Sequence, residues 1–139
     1  METTTILTAL GLGGILGVIV KHFLDVRSET TVKLKTINEE KYRTILIYMS
    51  IILDPGNKNH FILNDNILAS YNDNQTIIDY SKSKLQEYYY QSLLYASDDV
   101  LLVFKEFLVN PTRENYIIVA RMMRKDLWNK NTKLEVTEI

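Results

Sequence analysis

The stretch TTTILTALGLGGILGVIV, residues 3–20, contains no charged side chain. A helix of about 18 residues is about 27 Å long, which nearly matches the ~30 Å hydrocarbon core of a bilayer. Glycine weakens a water-exposed helix by about 1 kcal/mol per residue, but in lipid the backbone has no alternative to its internal hydrogen bonds. This glycine-rich stretch therefore predicts an N-terminal transmembrane helix, which we place within an anchor at residues 1–24.

Three other structures compete for the same stretch. A secretory signal peptide opens with basic residues and ends at a small-x-small cleavage site, whereas this chain opens with Met1-Glu2 and reaches Lys21 through three branched apolar residues. A helix lying on the membrane surface needs a polar face, and here only scattered threonines are polar. A buried core helix of a soluble protein is the main alternative.

The charges that flank the stretch predict its orientation. Only Glu2 precedes it, whereas four basic residues follow within a short distance: Lys21, Arg27, Lys33 and Lys35. Basic residues favour the cytoplasmic side of a membrane helix. We therefore expect a single-pass protein of the cell membrane, with the lipid bilayer as a partner and the C-terminal domain in the cytoplasm.

Small residues recur at every fourth position of the stretch, at Thr5, Ala9, Gly13 and Gly17. On a helix this spacing makes a groove in which a second backbone can approach closely. The pattern favours a homo-oligomer held through this face. The alternative is that glycine and alanine are simply common in membrane helices.

The remainder of the chain divides into three parts. Residues 25–39 are a charged stretch that we interpret as a helical stalk. Residues 40–128 predict a bundle of about four helices, and residues 129–139 are a polar tail. The charge-free residues 44–53 are too few to cross a bilayer and are apolar on all sides, which predicts a buried central helix ending at Asp54-Pro55-Gly56.

The fold class is therefore all-α, with further helices after that central one. We expect a short helical turn at 67–71 and a long helix at 75–96 with a core face of Ile78, Leu85, Tyr89, Leu93 and Ala96. Ser97 begins the next helix as its N-cap, and Asn110-Pro111-Thr112 separates it from the last one. The last helix has a core stripe of Tyr116, Ile117, Ala120, Met123 and Leu127.

The short turn between the last two helices predicts an antiparallel pair, in which the start of one helix lies near the end of the other. Asp98 or Asp99 would then lie within reach of Arg121 or Arg124. We expect an inter-helix ion pair of mainly structural importance. The alternative is that Asp98, Asp99, Arg121, Arg124 and Asp126 form a binding surface.

The composition excludes several classes of chemistry. The chain has no cysteine, and its two histidines lie in no metal-binding or catalytic spacing. No phosphate-binding glycine loop follows a strand, and a formal net charge of −1 is unlike that of a dedicated nucleic-acid-binding domain. We therefore expect no enzyme activity, no cofactor, no metal and no nucleic-acid partner. Consecutive tyrosines at 88–90 point in three directions on a helix, which favours packing over a base-stacking platform.

Three segments resemble a known group of proteins: Glu40-Lys41-Tyr42-Arg43, LYASDDV at 94–100, and ARMMRKDL at 120–127. They are similar to small bacterial single-pass membrane proteins of unassigned function, which carry "LYASDxV" and "MRKDL" segments in a helical soluble domain. Many of those proteins have glycine after "MRKDL", whereas this chain has Trp128. The resemblance implies the same membrane topology and helical domain but supplies no activity.

Two functions are compatible with these patterns. The first is a membrane-anchored cytoplasmic interaction module that self-associates and holds an unknown protein partner. The second is a small membrane effector, pore-forming or bilayer-disrupting, of a bacterial defence or toxin system. Threonine is the only polar residue type within the stretch, so a wide aqueous pore would be difficult to line.

Overall fold

A computed structural model describes residues 2–61 and 63–128, without the side chains of residues 2–16. Every regular element in these residues is helical, which confirms the all-α class. The elements are α1 Glu2–Leu53, a 3-10 turn Pro55–Asn59, α2 Asn66–Ser70, α3 Asn74–Ser92, α4 Asp98–Val109 and α5 Arg113–Trp128.

The chain forms two compact units, Met1–Ile37 and Asn38–Ile139, and the division falls within α1. It lies close to the predicted end of the stalk at residue 39. In the first unit, residues 17–37 are helical with exposed side chains. Several of these are large and apolar, including Val18, Phe23 and Leu24. The hydroxyls of Thr30 and Thr31 donate to the carbonyls four residues earlier, so these polar groups are satisfied within the helix.

Within the described residues, no helix is both long enough and apolar enough to cross a membrane. Most of the predicted span, residues 3–16, falls where side chains are not described, and so do Thr5, Ala9 and Gly13 of the small-residue face. At Gly17 an added Cβ would meet no atom within 4 Å. The predicted polar tail, residues 129–139, lies outside the described residues.

The core of the second unit is built around the C-terminal part of α1, as predicted. Six α1 side chains are buried there: Tyr42, Ile45, Tyr48, Met49, Ile51 and Ile52. Helix α4 contributes Val100, Phe104 and Phe107, and α5 contributes Ile117, Val119 and Met123. The predicted core stripe of α5 is correct at Ile117 and Met123 but omits Val119.

Helix α3 differs from the prediction in the residue at which it ends and in the side chains that it buries. It stops at Ser92 instead of Ala96, because the backbone N–H groups of Leu94 and Tyr95 bond three residues back in a tight turn. Leu93 is consequently 55% exposed. The buried positions of α3 are Ile77, Ser81, Leu85 and Ser92, a face that includes two serines.

Polar side chains begin each of the four later helices. Asp65 caps α2, Asp73 caps α3 and Ser97 caps α4, each accepting from a backbone N–H three residues on. The hydroxyl of Thr112 accepts from the N–H of Asn115 at 3.1 Å, at the start of α5. Such caps typically contribute about 0.5–2 kcal/mol each. The predicted starts at Ser97 and Thr112 are confirmed.

Candidate functional site

Asp65 joins three helices of the second unit through one carboxylate. Its Oδ2 accepts hydrogen bonds from the hydroxyl of Tyr48 on α1 and, at 2.9 Å, from that of Tyr80 on α3. Its Oδ1 accepts from the backbone N–H of Leu68 at 3.0 Å, which caps α2. We call Asp65, Tyr48 and Tyr80 the Asp65 hub. The hub connects the loop after α1 to both neighbouring long helices.

The hub fixes the protonation states of its members. Partial burial acts to raise the pKa of Asp65, but hydrogen bonds from Tyr48, the Leu68 amide and Tyr80 outweigh it and lower that pKa below its usual value. Burial, together with the hydrogen bond to Asp65, raises the pKa of Tyr80 to about 12. The same causes raise the pKa of Tyr48 further. At neutral pH the hub is therefore a carboxylate that accepts from two neutral phenols.

The hub forms part of the lining of a cleft of about 770 Å³. Helix α1 contributes Glu40 and Arg43 to the lining, and α3 contributes Lys84 and Tyr88. The loop before α2 adds Leu63 and Asn64, and α2 itself adds Asn66 and Ile67. Its volume lies within the range of small-molecule sites, about 300–1,000 Å³. We call this the hub cleft and treat it as the candidate functional site.

Both cations of the hub cleft make ion pairs within their own helices, and the ammonium of Lys84 also lies 5.9 Å from the centre of the Tyr80 ring. Arg43 lies 3.2 Å from Glu39 on the same helix, and Lys84 lies 3.2 Å from Glu87 on its own helix. Exposed pairs of this kind contribute about 0–1 kcal/mol.

A second cluster joins the three segments that resemble the bacterial membrane proteins, residues 40–43, 94–100 and 120–127. The hydroxyl of Tyr42 donates to Asp126, and the Tyr42 ring lies 5.9 Å from the ring of Tyr95. The ammonium of Lys41 lies 4.4 Å from the centre of the Tyr95 ring, in cation–π geometry. Burial, with help from Asp126, raises the pKa of Tyr42. Asp126, a predicted site residue, thus anchors a core tyrosine.

The predicted pair between α4 and α5 forms with a different basic residue. Asp99 lies 3.9 Å from Lys125, and both side chains are exposed. Arg121 is one helical turn earlier on the same face and half-buried, and its Nε has no hydrogen-bond partner among the described residues. Arg124 and Asp98 are exposed. The antiparallel arrangement places the acidic start of α4 beside the basic end of α5. Lys125 and not Arg121 reaches Asp99, because Lys125 lies one helical turn nearer the end of α5.

The predicted basic residues that follow the apolar stretch lie in the first unit. Lys21, Arg27, Lys33 and Lys35 are exposed. In the part of the chain that the structure describes, no three histidine, cysteine or acidic side chains are placed to hold a metal ion.

The Asp65 hub was not predicted from the sequence. One signal for it was present: an aspartate placed three residues before Leu68, at the start of a short apolar run, is a typical N-cap. Nothing local indicated that two distant tyrosines would donate to the same carboxylate.

Alkaline conditions are expected to weaken the fold through the hub. Because the pKa of Tyr80 is about 12 instead of 10.0, the fold favours the protonated phenol. The stability that this preference contributes is complete below about pH 10 and is lost as the pH rises through about 12. We expect Tyr80→Phe to reduce the loss of stability between these pH values, measured as denaturant midpoints by near-UV circular dichroism. Tyr90→Phe, an exposed control, should follow the parent, and an unchanged alkaline slope in Tyr80→Phe would contradict the hub.

Comparison with protein-family models, curated proteins and solved structures finds no match to this chain. The resemblance to small bacterial membrane proteins stays a prediction, and so do the topology and partners that it implies.

Proposed function

We propose that this protein is a membrane-anchored helical interaction module. Residues 1–24 would span the cell membrane, and the compact helical unit that follows would lie in the cytoplasm. The protein would act by holding itself and a protein partner at the membrane, without catalysis. Self-association through Thr5, Ala9, Gly13 and Gly17 is part of this proposal.

The observation that carries the proposal is the apolar character of residues 3–20. Residues 3–20 have no charge, and large side chains continue exposed beyond them, with Phe23 74% exposed and Leu24 61% exposed. Fully burying a side chain of this size is worth about 1.5–3 kcal/mol. A helix that is apolar on all sides is stable where an apolar medium or another helix surrounds it. A bilayer supplies that medium along the whole stretch.

The basic flank supports the orientation. Lys21, Arg27, Lys33 and Lys35 follow the stretch, whereas only Glu2 precedes it. The positive-inside preference therefore favours a cytoplasmic position for everything after residue 24.

Two lysines placed within the span should release the protein from membranes. Each lysine near the centre of a membrane helix costs about 2.5–3.5 kcal/mol. The double variant Leu12→Lys, Ile15→Lys is therefore expected to move from the carbonate-resistant pellet to the supernatant, aggregates or degradation products. Fractionation and blotting of the full-length protein measures this. The matched control Ser28→Lys, Thr31→Lys adds the same charge outside the span and should stay in the pellet. Parent protein that remains monodisperse in the supernatant without detergent would overturn the proposal.

A further inference from the structure

Helix α4 carries large aliphatic side chains on the side that faces away from the core. Leu102 is 65% exposed and Val109 is 76% exposed. Lys105 and Glu106 lie between them along the helix and are exposed as well. Because the four residues stand at positions i, i+3, i+4 and i+7, they form one face of the helix. We call this face the outer face of α4.

The two charges of the outer face are not used within the bundle. Neither Lys105 nor Glu106 makes an ion pair among the described residues. They do not face each other either, because consecutive side chains on a helix point about 100° apart. Lys105 lies on one side of the line from Leu102 to Val109, and Glu106 lies on the other side. A partner that fits this face therefore offers an apolar stripe with an acid opposite Lys105 and a base opposite Glu106.

A second copy of the same helix in parallel orientation meets these requirements. A two-fold axis along the helices sets each residue of the apolar stripe against its own counterpart, Leu102 against Leu102 and Val109 against Val109. The same rotation brings Glu106 of each copy beside Lys105 of the other, which gives two ion pairs across the contact. In an antiparallel pair, Lys105 would instead lie beside Lys105 and Glu106 beside Glu106. The charges therefore select the parallel arrangement.

The acids at the start of α4 limit the strength of this contact. Asp98 and Asp99 lie about one turn before Leu102, and in the parallel pair Asp98 of one copy would face Asp99 of the other. The ammonium of Lys125, 3.9 Å from Asp99, offsets part of this repulsion. A contact of one short helix per copy also falls below about 1,200 Å² of buried surface, the range of weak and transient interfaces.

We propose that α4 is a weak dimerisation surface, at which two copies of this protein pair in parallel through the outer face. The inference deepens the proposed function and rests on it, because anchors in one membrane would hold the two copies in the same orientation. Shared anchoring would also raise their effective concentration, which allows a weak contact to be populated.

Disulfide cross-linking of the full-length protein in maltoside micelles tests the arrangement. Because the chain has no cysteine, each single substitution introduces one thiol. Leu102→Cys and Val109→Cys should each form a homodimer disulfide under copper–phenanthroline oxidation, since the parallel pair sets each position against itself. Leu94→Cys, at a position that is 91% exposed and outside the outer face, is the control and should cross-link much more slowly.

Charge reversal tests the ion pairs, with Val109→Cys as the background. Lys105→Glu and Glu106→Lys should each lower the cross-linking rate about fivefold or more, because every dimer loses both ion pairs and gains two like-charge contacts. The double reversal Lys105→Glu, Glu106→Lys should restore the rate. Lys82→Glu, the same change at an exposed position of α3, should leave it unchanged. Near-UV circular dichroism verifies that every variant is folded.

Mixing the two single reversals gives the sharpest result. With tags of different size, the Lys105→Glu copy and the Glu106→Lys copy should cross-link mainly to each other, because only the mixed pair matches acid to base on both sides.

Three results would overturn the inference. The first is cross-linking at Leu102→Cys and Val109→Cys no faster than at Leu94→Cys. The second is cross-linking only when Leu102→Cys and Val109→Cys protein are mixed, which indicates an antiparallel pair. The third is a rate that charge reversal does not change. Fractionation of the parent protein tests the anchor separately, so protein that stays in the membrane pellet but gives one of these results contradicts this inference alone.

Discussion

Replacing Asp65 by alanine is expected to lower the free energy of unfolding by about 3–5 kcal/mol. The change removes the cap of α2, which is worth about 0.5–2 kcal/mol. It also leaves the part-buried hydroxyls of Tyr48 and Tyr80 without their acceptor, and a polar group that loses its partner costs up to about 1–3 kcal/mol when it is fully buried. Denaturant unfolding followed by the near-UV circular dichroism of the tyrosines measures this loss.

Asp73→Ala is the matched control for this substitution. Asp73 caps α3 in the same way, through the N–H of Thr76 at 2.9 Å, but accepts from no tyrosine. Its loss should cost clearly less than that of Asp65, because only the helix cap is removed. Asp65→Asn keeps an acceptor oxygen and should fall between the two. Equal destabilisation by Asp65→Ala and Asp73→Ala would show that the tyrosine hydroxyls contribute nothing.

Phe104→Ala should destabilise the bundle by about 3–5 kcal/mol, because removal of a large buried aromatic leaves a cavity. Phe104 is fully buried in α4, and its ring meets that of Tyr89 edge-on with 5.4 Å between the ring centres. The same denaturant experiment measures the change.

Leu102→Ala provides the comparison on the same helix. Leu102 is 65% exposed, so its truncation should change the free energy of unfolding by about 0.5 kcal/mol or less. If the two variants unfold at the same midpoint, α4 does not face the core as described.

The boundaries of the helices were predictable because their signals are local. Asp54-Pro55 ends α1, and the Ser97 and Thr112 hydroxyls begin α4 and α5 within three residues of the groups they cap. A stop that depends on a backbone turn gives no such signal. Helix α3 ends in such a turn, four residues before the predicted Ala96, and no proline or glycine marks the change.

The core face of α3 was mispredicted because burial does not follow hydrophobicity there. Ser81 and Ser92 are fully buried, and Ser92 satisfies its hydroxyl by donating to the carbonyl of Tyr88. A search for apolar periodicity passes over such positions and shifts the face toward Ile78 and Leu93.

The two tyrosine–aspartate clusters could not be derived from spacing at all. Tyr48 lies 17 residues from Asp65, and Tyr42 lies 84 residues from Asp126. Only the packing of α1 between the later elements brings these pairs together. The predicted pair between α4 and α5 was closer to the structure because both helices are adjacent in sequence. Even there, the choice of Lys125 over Arg121 depends on how far the helices overlap.

Cysteine labelling tests the central claim, an N-terminal anchor with a cytoplasmic bundle, most directly. The chain has no cysteine, so each single substitution introduces one thiol that alone can be labelled. Thr3→Cys would lie at the extracellular end of the predicted span, and Leu94→Cys replaces a side chain that is 91% exposed on the bundle. In bacterial cells with a permeabilised outer membrane, a membrane-impermeant maleimide should label Thr3→Cys at once and Leu94→Cys only after lysis. Labelling of Leu94→Cys in unlysed cells, or recovery of both variants as soluble protein, would contradict the account.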